Sequence, residues 1–132
     1  MMWVPGVEEM GKETDSIVEF LDLYPTLIDY CGLKAPHELS GKSLRPVLEQ
    51  PTVNRKNAAF TQVTRGKLMG YSVRTDRWRF IQWGKDGSEG VELYDHTSDR
   101  IEYYNLADRP ELEKTRRQMA DLLATGFPAM QK

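Results

Sequence analysis

A single cysteine, Cys31, occurs in the 132 residues, so the chain cannot close a disulfide on itself and compartment cannot be read from bridges. Histidine is nearly as scarce. His37 and His96 stand far apart with no paired cysteines beside them, which leaves no multi-histidine zinc site. No apolar run approaches the roughly 18 residues that span a bilayer, so no membrane partner is expected. Neither charge dominates: 18 Lys and Arg face 20 Asp and Glu, a formal net charge of −2. That balance gives no global attraction to nucleic acid. No Lys/Arg-Gly-Phe run of the RNA-binding type occurs either, so nucleic acid is not an expected partner. Met1 to Gly6 has neither the basic start nor the apolar stretch of a secretory signal.

What the chain does contain is enough apolar material (39%) for the core of one compact unit. Val7 to Ser16 is polar and glycine-flanked and reads as a loop. Ile17, Val18, Phe20, Leu21 and Leu23 form a run suited to a short buried strand or an extended approach to a helix. Pro25 breaks any long helix there but suits a first turn, so a helix is predicted from the Asp22–Tyr24 region to about Cys31, ended by Gly32. Cys31 falls beside Leu27 and Ile28 and reads as a buried, inert thiol. A second short helix is predicted over 43–48 with Ser43 as its N-cap.

From Ala58 onward the pattern changes to strands: 58–64, 69–75, 78–83 and 91–94. Met69, Tyr71 and Val73 alternate with Gly70, Ser72 and Arg74, and Trp78 and Phe80 alternate with Arg79, Ile81 and Trp83. A last helix opens near Asp108 and Pro110, carries Leu112, Met119, Leu122 and Leu123 on one face, and stops at Gly126 and Pro128. The expected fold class is α+β: a small antiparallel sheet of about four strands packed by a C-terminal helix, preceded by a helical segment. The expected division is 1–50 and 51–132.

Three phrases carry a family resemblance: Asp22-Leu23-Tyr24-Pro25-Thr26-Leu27, Gly41-Lys42-Ser43-Leu44, and Glu92-Leu93-Tyr94-Asp95 with Asn105-Leu106 beyond it. In order and spacing they resemble the C-terminal part of a sulfatase, of the iduronate-2-sulfatase-like branch. The resemblance implies that residues 1–50 are the tail of a larger α/β catalytic domain, and that Val4-Pro5-Gly6 ends one of its strands. It implies that 51–132 are the C-terminal subdomain. Sulfatases use a formylglycine made from cysteine in Cys-x-Pro/Ser-x-Arg, together with a divalent cation, commonly calcium. Cys31 is followed by Gly32-Leu33-Lys34-Ala35 and does not match. No catalytic residue and no metal ligand is expected in this chain, and Asp95-His96 reads as a turn rather than a metal pair. Calcium and formylglycine are implied for the parent protein alone, and the family is usually exported, periplasmic or lysosomal.

A basic group with aromatics nearby is the remaining signal. Arg65, Lys67, Arg74, Arg77 and Arg79 lie among Tyr71, Trp78 and Trp83. Arginine binds sulfate or carboxylate through paired N–H groups, and rings stack on sugar faces. In the resembling family the stretch equivalent to 64–71 lies towards the active-site mouth. Arg65, Lys67, Tyr71 and Arg74 are therefore the candidate substrate contacts, with Arg74 alternatively a structural arginine. The expected partners are a sulfatase catalytic domain, a sulfated sugar, and a second copy through residues 17–33. The chain alone is expected to hydrolyse nothing; the competing expectations are a stand-alone module that binds sulfated glycans or proteins, and a truncated gene product with no function.

Overall fold

The structure, a computed structural model, describes residues 2–6 and 11–127. The expected loop over 7–10 and the expected stop at Pro128 lie outside the described residues. The chain divides into two units, Met1–Asn57 and Ala58–Lys132.

The first unit is organised around one carboxylate. Asp22 ends a short 3-10 turn, Phe20–Asp22, that leads directly into helix α1, Leu23–Tyr30. Its side chain is fully buried and accepts hydrogen bonds from the Glu19 amide (3.0 Å), the Lys42 amide (2.9 Å) and Lys56 Nζ (2.7 and 2.8 Å). Lys56 Nζ also reaches Glu19 Oε2 at 2.6 Å. One turn along, buried Thr26 donates to the Asp22 carbonyl and accepts from the Leu44 amide at 2.7 Å. One turn further, Asp29 accepts from Ser43 Oγ at 2.5 Å. The phrase around Asp22 and the phrase Gly41–Leu44 thus lock together through a polar seam. Gly41 is required for that closure, because a Cβ there would stand 1.9 Å from the Leu21 carbonyl oxygen. Residues 51–57 belong to this unit because Thr14 and Ser16 donate to the Pro51 and Val53 carbonyls and Lys56 closes on Asp22.

Three expectations are corrected here. Of the two readings for residues 17–23, the extended approach to a helix holds and the buried strand does not: among the described residues no strand pairs with them, and the Asp22 bonds wind 20–22 into a turn. Phe20 is 92% exposed. Cys31 is exposed rather than buried, because it shares the outward stripe with Phe20, Leu23, Tyr24 and Leu27. Ser43 is not the cap of α2, Arg45–Glu49; Leu44 occupies that position, while Ser43 Oγ accepts from the Arg45 amide and donates to Asp29. Gly32 ends α1 as expected. At φ 64° it lets its own amide reach the Asp29 carbonyl and the Leu33 amide reach the Ile28 carbonyl.

The second unit is α+β. Strands β1 (Ala59–Arg65), β2 (Leu68–Arg74), β3 (Trp78–Trp83) and β4 (Val91–Asp95) form an antiparallel sheet in sequence order. Register pairs Phe60 with Val73, Val73 with Phe80 and Phe80 with Leu93, one row of apolar side chains across all four strands. Helix α3, Glu113–Gly126, covers that face with Met119 and Leu123. Asp108 does not cap α3 through its side chain. The helix is entered through a 3-10 turn, Pro110–Leu112, whose first residue has its φ preset by the proline ring.

Breaking a buried ion pair by removing one partner costs about 3–5 kcal/mol, since the other charge is left without compensation. Lys56→Met is therefore expected to destabilise the first unit on that scale, read as a lowered denaturant midpoint. Gly41→Ala should do the same without touching a charge.

Burial pushes the Asp22 carboxyl up, but the bonds from Lys42, Lys56 and Glu19 outweigh it and hold the group below its ordinary range. Burial lowers the Lys56 ammonium, and its bonds to Asp22 and Glu19 outweigh that and raise it. A depressed carboxyl gives stability that is present above its unfolded pKa and lost as pH falls through the folded one. A raised ammonium gives stability that is present below its unfolded pKa and lost as pH rises through the folded one. The seam is therefore expected to be flat in stability between about pH 5 and 9 and to weaken on both sides. A pH series of urea melts checks this.

Candidate functional site

The four sequence-predicted contacts do not meet in one place. Arg65 ends β1, and Gly66-Lys67 is the two-residue connection to Leu68, with Gly66 at φ 63° as a tight hairpin turn needs. Arg65 and Lys67 therefore stand together at an exposed tip. Tyr71 lies on the helix-covered face, half-buried, with its ring centroid 5.1 Å from that of Phe127 at 63°. Arg74 ends β2, six residues from Leu68, roughly 20 Å from the tip at the usual rise per residue.

Arg74 belongs to a second cluster. Its Nε donates to the Thr75 carbonyl, and its Nη1 lies 3.2 Å from His96 Nε2. His96 Nε2 is 2.6 Å from Glu102 Oε1, and Arg79 Nε pairs with the same oxygen at 3.1 Å, angled as an ion pair rather than a hydrogen bond. Arg74 and Arg79 are direct cross-strand partners, so two like charges are set side by side. Glu102 answers them, held in position by a backbone φ of 63°, a conformation costly for a non-glycine residue. Burial, and then the Arg79 charge, push the Arg74 guanidinium down from its usual value.

Asp95 carries the turn that follows β4. It accepts from Arg77 Nε and Nη2 (3.1 and 2.6 Å), from Thr97 Oγ1 (2.6 Å) and from the Thr97 amide (3.0 Å). The Arg77 guanidinium, which also stacks 4.6 Å above the Trp78 ring, holds the Asp95 carboxyl well below the ordinary range. These oxygens are committed to the turn. Among the described residues no group of three His, Cys, Asp or Glu side chains is placed to hold a metal ion.

A third arrangement went unforeseen. Glu92 is clamped on the helix-free face of the sheet: its Oε1 accepts from Trp83 Nε1 (2.8 Å) and its Oε2 from the Tyr94 hydroxyl (2.6 Å). Burial and the Glu92 carboxylate push the Tyr94 phenol up to about 12. Strand parity was the signal that could have revealed it, since Glu92 and Tyr94 share a face and Ile81 pairs with Glu92 across β3.

The depressed Asp95 carboxyl contributes stability that is present above its unfolded pKa and lost as pH falls through the folded one. Acid titration of the second unit, followed by the near-ultraviolet signal of Trp78, is expected to show that loss below about pH 4. Asp95→Ala should remove the acid limb while lowering stability at neutral pH.

Comparison with known proteins places these features in context. A family model described as "N-sulphoglucosamine sulphohydrolase, C-terminal" matches residues 1–126. Human arylsulfatase K is 30% identical over 123 residues, covering 85% of this chain and 23% of that protein. An N-acetylglucosamine-6-O-sulfatase from Bacteroides thetaiotaomicron is 28% identical over 127 residues, covering 90% of this chain and 23% of that protein. Among solved structures, a 2-O GAG sulfatase superposes with a TM-score of 0.70 at 28% identity, covering 85% of this chain and 25% of that one. The chain thus spans about a quarter of the length of the relatives it matches.

Proposed function

The chain belongs to the sulfatase family described as N-sulphoglucosamine sulphohydrolase, C-terminal, and from this we propose that it serves as the C-terminal subdomain of a sulfatase acting on sulfated sugars. In this reading it works beside a larger catalytic portion that supplies the formylglycine and the calcium site. Its own part is to shape the substrate pocket, with Arg65 and Lys67 at the β1–β2 tip as the anion contacts. Two cations at one tight hairpin tip, Arg65 at the end of β1 and Lys67 in the turn, suit a sulfate group, which arginine can take through paired donors. The names of relatives support a sulfated amino sugar as the substrate class: one is an N-acetylglucosamine-6-O-sulfatase.

The observation that carries this reading is the inversion of helix α1. Along the Phe20–Asp22 turn and α1, the polar Asp22 and Thr26 are buried and Asp29 is half-buried against Ser43, while Phe20, Leu23, Tyr24 and Leu27 form an exposed apolar stripe. Such a stripe on a short helix marks a surface meant to be covered. The occupant we infer is the catalytic portion of the longer polypeptide, consistent with relatives about four times the length of this chain. In the isolated chain the same stripe is expected to pair with a second copy.

Two measurements test this. The isolated chain with calcium and a chromogenic aryl sulfate should show no turnover, and turnover that scales with the purified chain would overturn the reading. Sedimentation of the isolated chain should show concentration-dependent association, abolished in the double variant Phe20→Ser, Leu27→Ser. A monomer at all concentrations would remove the stripe as a docking surface.

A further inference from the structure

The face of the sheet that α3 leaves uncovered has a shape of its own. Along β2 it carries Gly70, buried beneath the Trp83 ring, and then Ser72, half-buried between Ile81 of β3 and Thr61 of β1, with Val63 of β1 beside Gly70. The result is a trough running along β2. Arg65 stands at one end, where β1 closes on Leu68, and Arg74 with Arg79 at the other.

Trp83 is fixed from both edges in this trough. Its six-membered ring covers Gly70 so closely that a Cβ there would be 2.6 Å from Cζ3. Its opposite edge donates Nε1–H to Glu92 at 2.8 Å, two strands away from Gly70. The indole thus reaches from β2 at one edge to β4 at the other, and it stays half-buried rather than enclosed. Trp83 takes no part in the apolar core, unlike Trp78. Glu92, held by Trp83 and the Tyr94 hydroxyl, keeps a lone pair on each oxygen for a further donor.

We propose that this trough binds a sulfated oligosaccharide lying along β2, with one sugar ring stacked on Trp83. The assignment rests on the sulfated-sugar reading above but places the contact on different residues and a different face from Tyr71. Each part of the chemistry has its counterpart. The apolar C–H face of a pyranose fits a flat indole. Sugar hydroxyls donate to Glu92, and Thr61 and Ser72 supply hydroxyls along the floor. The arginines at the two ends, roughly 20 Å apart along β2, match an anionic chain rather than a single anion.

The test uses the full 132-residue chain and a heparin-derived hexasaccharide as the probe. In nitrogen–proton spectra the Trp83 indole N–H resonance is expected to shift on titration, while that of Trp78, on the opposite face, stays in place. Ser72→Leu fills the floor without touching the Glu92 bonds and should weaken binding at least tenfold with an unchanged melting temperature. Trp83→Ala should weaken it further. Chemically desulfated hexasaccharide should bind at least tenfold more weakly than the sulfated probe. Binding that leaves the Trp83 resonance unmoved, that survives Ser72→Leu, or that is indifferent to desulfation would overturn the trough. None of these outcomes depends on turnover, so the trough and the subdomain reading fail separately.

Discussion

The first unit depends on placing a full negative charge where water cannot reach it. Asp22 is tolerated inside because four hydrogen bonds, two of them from the Lys56 ammonium, converge on it from three separate stretches of chain. Those stretches are thereby fixed to each other: the turn before α1, the segment after Gly41, and Lys56 near the end of the unit. Apolar contact does little of this, since among the described residues the unit buries few apolar side chains, Pro25, Leu44 and Val47. The polar seam sets the geometry, and the apolar side of α1 is left to face outward. A buried ion pair of this kind fixes position more than it adds stability, because burying the charges costs nearly as much as their attraction returns.

The second unit is built the opposite way. Its core is the apolar row Val73–Phe80–Leu93 against Met119 and Leu123, and charge is confined to the rims and the uncovered face. There the electrostatics serve the connections. Asp95 shapes the turn after β4, Asn105 ties the Leu93 and Ala107 amides together, and Glu102 reconciles two arginines that the strand register forces side by side. Asp99, whose carboxyl is held low by the amide of Tyr104 and its neighbours, braces the same connection. A long connection stiffened at this many points presents Ile101, Tyr103 and Tyr104 outward in a fixed arrangement.

Much of the second unit was legible in the sequence. Alternation along Met69–Arg74 and Trp78–Trp83 is a local property, and a strand with one buried face must show it. The sulfatase resemblance was legible for a related reason, because the Asp22 and Gly41 phrases hold the very residues that form the seam. What was not legible was long-range and polar. The apolar run over 17–23 reads as buried by composition, yet its burial is decided by Asp22, whose partners Lys42 and Lys56 lie 20 and 34 residues away. Cys31 reads as buried from its neighbours Leu27 and Ile28, but it lies on the same outward stripe. The candidate contacts were chosen by residue type, which could not say that Tyr71 and Arg74 sit on opposite faces of one strand, or that Glu92 gathers Trp83 and Tyr94.

The inverted helix also has a meaning in time. The bonds that shape the Asp22 turn and α1 come from within residues 19–56, so the helix takes its form from polar contacts inside its own unit and does not depend on its apolar stripe being covered. Closure inside a unit of this size can precede docking to a separate surface. An ordered helix presenting a ready apolar stripe would then be a template for late assembly rather than a product of collapse. In the interval before that stripe is covered, it is the surface on which chaperones and wrong partners would compete.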